Sequence, residues 1–217
     1  MKPILFNTTM TQAILAGRKT VTRRVVKPQP ELFYILGKHR DYINPNEIAF
    51  KIMEQGGRDC VLLPPYQPGD ILYVRETWAQ KATINSWLDH KNLYEYRADY
   101  TDEQNEYRKK RLGVISARWK PSIHMPKEAA RIFLRVTGVR VERLQEILCG
   151  DMRREGCIPD TVTGGQYEQW QRDYWIPLWD STIKKQDINR CGWAANPWVW
   201  VIEFERISRD ESEGVTP

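Results

Sequence analysis

The run Ile14-Leu15-Ala16-Gly17-Arg18-Lys19-Thr20-Val21-Thr22-Arg23-Arg24 constrains the fold more than any other stretch, because it stops a helix and starts a strand within a few residues. Upstream, Thr9 and Gln12 have the spacing of a capping box, and Met10, Ala13 and Ile14 recur at helical intervals. Gly17 is suited to the left-handed position that ends a helix. Downstream, Thr20, Val21, Thr22, Val25 and Val26 are the β-branched residues of a strand. Alternation then puts Thr20, Thr22 and Arg24 on one face and Val21, Arg23 and Val25 on the other. The turn is expected to present Lys19, Thr20 and Thr22 at one rim, with Arg18, Arg23 and Arg24 close by. An amine beside hydroxyls is usable chemistry: a lysine whose pKa is lowered by burial or by neighbouring cations can activate a threonine or attack an acyl carbon itself. The same cations also suit an anion-binding rim, or simply a solvated basic turn.

The rest of the chain alternates apolar strand candidates with polar, proline-rich stretches. Lys2 to Asn7 reads as an opening strand. Pro68-Gly69-Asp70 introduces a buried strand, Ile71-Leu72-Tyr73-Val74-Arg75, followed by Glu76 and Trp78. Ile132 to Arg143 is the longest strand candidate. Leu144 to Glu155 reads as an amphipathic helix with Leu144, Ile147, Leu148 and Met152 on one stripe, closed by Gly156. Glu155 then sits at a helix C-terminus, where cations rather than acids are favoured. Pro197 to Arg206 is the closing strand, and residues beyond 208 read as a polar, frayed tail. Trp170, Tyr174, Trp175 and Trp179 fall at helical spacing and read as a buried helix face, although aromatic rings also stack on nucleobases.

Four of these pieces together resemble the ASCH domain, a relative of the PUA RNA-binding barrel. The family's signature, leucine-x-glycine-x-lysine-threonine-x-threonine-x-arginine, is met by Leu15, Gly17, Lys19, Thr20, Thr22 and Arg24. The Pro68-Gly69-Asp70 turn, the Arg-Glu-x-Trp phrase at Arg75 to Trp78 and the aromatic-valine-isoleucine-glutamate-phenylalanine ending are similar to longer members, many of them prophage-encoded. The resemblance implies an α+β chain with a mostly β core: a small PUA-like β-barrel flanked by helices. It further implies one domain over about 1–208, with three large insertions at about 27–63, 79–130 and 159–195 and a flexible tail at about 209–217.

Function follows from the same resemblance. Short bacterial members include an amidohydrolase that deacetylates N4-acetylcytidine. By that likeness Thr22 is the nucleophile, Lys19 its base and Glu155 the acid that protonates the leaving amine, with Glu146 and Asp151 near enough to compete for the last role. Arg18, Thr20, Arg23, Arg24, Arg75 and Trp78 are the expected nucleotide or phosphate contacts. The alternatives are a module that binds RNA without turnover and a ribonuclease of phage origin.

Composition narrows the field. The 33 basic and 28 acidic residues leave +5, a mild excess that suits RNA or a modified nucleoside. Cys60, Cys149, Cys157 and Cys191 lack the pairing of a zinc site, and the three histidines lack ligand spacing, so neither a metal nor a cofactor is expected. No run reaches membrane-spanning length and no basic leader precedes an apolar run, so the expected location is the cytoplasm. Oligomeric state is not legible.

Overall fold

The structure, a computed structural model, describes residues 1–30, 32–36, 49–53, 59–80, 94–111, 118–157 and 164–214. Its strands in chain order are β1 (Lys2–Leu5), β2 (Val21–Val25), β3 (Leu32–Leu36), β4 (Ala49–Met53), β5 (Asp59–Leu62), β6 (Ile71–Arg75), β7 (Trp78–Gln80), β8 (Tyr94–Tyr96), β9 (Phe133–Arg143) and β10 (Trp198–Ile207). They form a five-stranded sheet of order β1-β6-β9-β10-β2, a three-stranded sheet β3-β4-β5 and a two-stranded ribbon β7-β8. The fold is therefore mixed α and β, as expected, but the described strands make an open sheet where a closed barrel was expected. Closure requires the two edge strands to pair. Instead, beside the edge strand β2, Thr20 N donates to Arg154 O at 2.8 Å and Lys19 forms an isolated bridge with Glu155. The stretch around 27–63, expected to be an insertion, carries three antiparallel strands with registers such as Tyr34↔Lys51 and Lys51↔Val61.

The chain divides into two compact units, residues 1–17, 71–134 and 206–217, and residues 18–70 and 135–205. In the first, β1 runs parallel to β6, with Ile4 opposite Val74. The helix Thr8–Leu15 buries Thr11, Ala13 and Ile14. Its cap is Asn7, not Thr9: the Asn7 side chain accepts from Met10 N at 2.8 Å. Gln12, expected to complete the capping box, donates instead to Ala98 O at 3.1 Å. Gly17 has φ +73, the left-handed stop that the sequence suggested. Tyr73, Trp78, Met125, Ala129, Ala130, Phe133 and Ile207 make a buried apolar cluster. The C-terminal stretch, read as frayed, contains a capped turn: Ser208 accepts from Glu211 N while Glu211 accepts from Ser208 N.

In the second unit β2 pairs antiparallel with β10, Arg23 opposite Val201 and Thr22 opposite Ile202. Val21, Val199 and Val201 pack with Leu144, Ile147, Met152, Trp175 and Trp179. The expected single helix over Leu144 to Glu155 is broken in two. A 3-10 turn covers Leu144–Glu146, Leu148 is extended at φ −89, ψ 160, and an α-helix follows over Cys149–Arg154. The break turns Leu148 outward, leaving it 72% exposed, so it does not share the apolar stripe. The aromatic helix is also interrupted, by a π turn at Gln171–Trp175 between Tyr167–Trp170 and Ile176–Thr182. Trp175 and Trp179 are buried, whereas Tyr174 is exposed and stacks on Trp170 with centroids 4.0 Å apart.

The two candidate caps of the first helix separate cleanly in a stability measurement. Asn7→Ala is expected to lower unfolding stability by about 1 kcal/mol. Thr9→Ala, on an exposed position, should stay within about 0.5 kcal/mol of wild type in the same urea titration.

Candidate functional site

Two short-range events and one long-range event build the site. Gly17 ends the first helix and frees the chain to extend into β2, which carries Lys19 at its approach and Thr22 and Arg23 within it. The helix Cys149–Arg154 then ends at Glu155, and Gly156 at φ +76 turns the chain away. The antiparallel bridge between Lys19 and Glu155 brings the two ends together.

Lys19 is 2% exposed and its ammonium has three acceptors. It donates to Glu155 Oε2 at 2.6 Å, to Val21 O at 2.8 Å and to Glu155 O at 3.0 Å. The sequence expectation of a lysine at an open rim is thus corrected. An edge-strand carbonyl and a helix-end carbonyl both need a donor, and the lysine stem is long enough to supply one from inside.

Arg23 is equally committed. Its Nη1 donates to Glu155 Oε1 at 3.1 Å, Nε to Glu142 Oε1 at 2.9 Å, and Nη2 to Glu142 Oε1 at 2.5 Å and Asp151 Oδ2 at 2.9 Å. Burial alone would lower its guanidinium, but Glu155, Glu142 and Asp151 outweigh that and hold it above the ordinary arginine value. Its side chain has no solvent exposure, so the role of phosphate contact expected from the sequence is replaced by an internal one. Arg140 extends the network to Glu142, Asp151 and Glu203, and Arg154 joins Glu203 at 3.1 Å and Thr20 Oγ1 at 3.4 Å. Burial would raise the Glu203 carboxyl, yet Arg154 and Arg140 pull it below the usual range. The network holds four cations, Lys19, Arg23, Arg140 and Arg154, against four carboxylates, Glu142, Asp151, Glu155 and Glu203. It neutralises itself.

Thr22 is 1% exposed and lies on the opposite face of β2 from Arg23, with Arg24. Among the described residues its hydroxyl makes no hydrogen bond to Lys19, to Glu155 or to any other group. Arg24 is partly exposed, and burial pulls its guanidinium below the ordinary value against the attraction of Glu155 and Tyr66. Burial in turn raises the Tyr66 phenol, with Arg24 opposing and Asp70 reinforcing the shift. The carboxylate of Glu155 is thus felt by Arg23 from one face of β2 and by Arg24 from the other. Arg18 is exposed and donates to Gly156 O at 3.3 Å.

The remaining expected contacts belong to the first unit. Trp78 fills its apolar cluster at 5% exposure, with Lys120 Nζ 4.8 Å above its ring, so it is core there and not the floor of a nucleotide pocket. Arg75 lies over the Tyr73 ring at 5.8 Å. Of the competing acids, Asp151 binds Arg23, while Glu146 ends the 3-10 turn and caps its start by accepting from Arg143 N at 2.9 Å. Sequence reading missed Glu142, Arg140, Arg154 and Glu203 as members. Alternating charge along β9 at Arg140 and Glu142 was the available signal, and it pointed equally to a solvated face. Among the described residues no group of three His, Cys, Asp or Glu side chains is arranged to hold a metal ion. No helix among them is long and apolar enough to cross a membrane.

No protein-family profile, curated protein or solved structure matches the chain.

Two measurements follow from this geometry. Replacing Lys19 with Met leaves Glu155 buried with one cation fewer, and the expected loss is about 3–5 kcal/mol by chemical denaturation. The exposed pair Arg135–Glu205 is the control, and Arg135→Ala should cost under about 1 kcal/mol. Cys157, whose thiol is pushed up to about 12 by burial and by Glu155, should resist alkylation at pH 8. The exposed Cys149 should be modified first, as read by peptide mass spectrometry.

Proposed function

We propose that the chain processes RNA or a modified nucleoside by hydrolysing an acyl-amide bond, with N4-acylated cytidine as the substrate class. The observation that carries this reading is the buried Lys19–Glu155 pair, clasped at 2.6 Å beside the strand that bears Thr22. Its support from sequence is the resemblance of the Lys19-Thr20-x-Thr22-x-Arg24 run to the ASCH signature.

The chemistry must begin from an ammonium, because Lys19 donates to three acceptors and holds no free lone pair. Proton transfer to Glu155 along the 2.6 Å contact produces the neutral amine that a base requires. Thr22 Oγ, which makes no hydrogen bond to Lys19 in the structure, must come within reach of Nζ as it attacks the acyl carbon and gives its proton there. Glu155 returns the first proton to the amine that leaves as the carbon–nitrogen bond breaks. Arg24 supplies positive charge for the oxyanion. Water hydrolyses the threonyl ester and restores the starting state.

A second reading is binding without turnover. The full complement of acceptors around Lys19 favours it, since a lysine so placed can serve the fold alone. Thr22 separates the two, because it can be altered with little change of volume. Thr22→Val removes the hydroxyl and keeps the β-branched shape, whereas Thr22→Ser keeps the hydroxyl. Under the hydrolase reading, wild type and Thr22→Ser deacylate N4-acetylcytidine or N4-acetylated short RNA, and Thr22→Val loses about a hundredfold or more. Equal rates in Thr22→Val would remove the threonine from the reaction. Retained binding with no turnover by wild type would leave the second reading.

A further inference from the structure

We propose that the second unit contains a binding site for a small organic anion with a phosphate-type head and a flat apolar body, of which a nucleoside monophosphate is the class. The site is a half-open cleft of about 300 Å³, at the lower end of the range for small-ligand pockets. One wall comes from β2 and the residues just after it, the other from the helical segment between Trp179 and Cys191.

Charge is what distinguishes this cleft from the adjoining network. Arg23 lines it but is already compensated by three carboxylates. Arg24, Lys27 and Lys184 line it too, against the single carboxylate of Asp187. Among the described residues neither Lys27 nor Lys184 forms an ion pair, and both are exposed, so neither is held in the fold by its charge. Two exposed lysines facing one acid, with Arg24 beside them already drawn toward Glu155, make a local positive potential that a dianionic group would relieve. Apolar side chains come from both walls as well. Val25, Ile183 and Trp179 line the cleft, and Trp179 is fixed in place by donating Nε1 to Cys191 O at 3.0 Å. A rigid ring beside a cationic mouth suits a ligand that carries a planar group next to a phosphate.

The cleft's helical wall belongs to the segment around 159–195, so the site is a property of that segment joined to β2. It shares Arg24 with the proposed hydrolytic site but not the Lys19–Glu155 pair, and its occupancy is measurable whether or not the chain hydrolyses anything.

The test is calorimetric titration at low salt with cytidine 5′-monophosphate, adenosine 5′-monophosphate, cytidine and inorganic phosphate. Wild type should bind at least one of the monophosphates about tenfold or more tightly than either cytidine or inorganic phosphate. The double variant Lys27→Ala/Lys184→Ala should weaken that binding about tenfold or more. Thr182→Trp, which places a bulky ring at the exposed mouth, should abolish it. All three altered positions are exposed, and an unchanged melting transition confirms that the fold is intact. Monophosphate binding no tighter than that of inorganic phosphate, or unchanged in the double variant, would overturn the proposal.

Discussion

The second unit is organised around one buried carboxylate. Glu155 ends a short helix, where the backbone itself presents partial negative charge, and yet it is 3% exposed. Such a group is stable inside only when cations and donors surround it. Lys19 and Arg23 meet that demand from one strand, and the same two side chains then bind the edge carbonyl of Val21 and the acids Glu142 and Asp151. The join between β2 and the helix end is therefore electrostatic at its centre and apolar at its margin, where Val21 and Met152 share one cluster.

This arrangement bears on chemistry as well as on stability. A lysine with three acceptors is a poor base until one of its protons moves, and the 2.6 Å contact to Glu155 is the shortest route for that movement. Under the proposed hydrolysis the pair has to hold the fold and also exchange a proton, and the two roles compete. Arg23 holds the other oxygen of the same carboxylate at 3.1 Å. Arg24 acts on the same carboxylate from the other face of the strand, where Thr22 also lies.

Local structure was legible wherever the physics is local. The left-handed stop at Gly17, the β-branched strand after it and the helix termination at Gly156 all follow from backbone preferences. The cap of the first helix was misplaced by two residues because Asn7 and Thr9 both have capping side chains, and only packing decides between them. Leu148 was misassigned for a related reason. Its spacing fits an apolar stripe, but the chain is extended there and turns it outward. Grouping Lys19 with Glu155 came from a resemblance to a family signature, since no local rule links residues 136 apart. Burial of both side chains, and the capture of Arg23 by three acids, were not legible at all.

The sequence by itself determined that the first helix stops at Gly17, that a helix ends before Gly156 and that a basic turn precedes the β-branched strand β2, because glycine conformation and β-branching act within a few residues. Tertiary structure decided that the sheet stays open and that the basic turn is turned inward. It also decided which acids share its charge. Those outcomes depend on which buried charges end up close enough to neutralise one another, and that distance is set by packing between segments far apart along the chain.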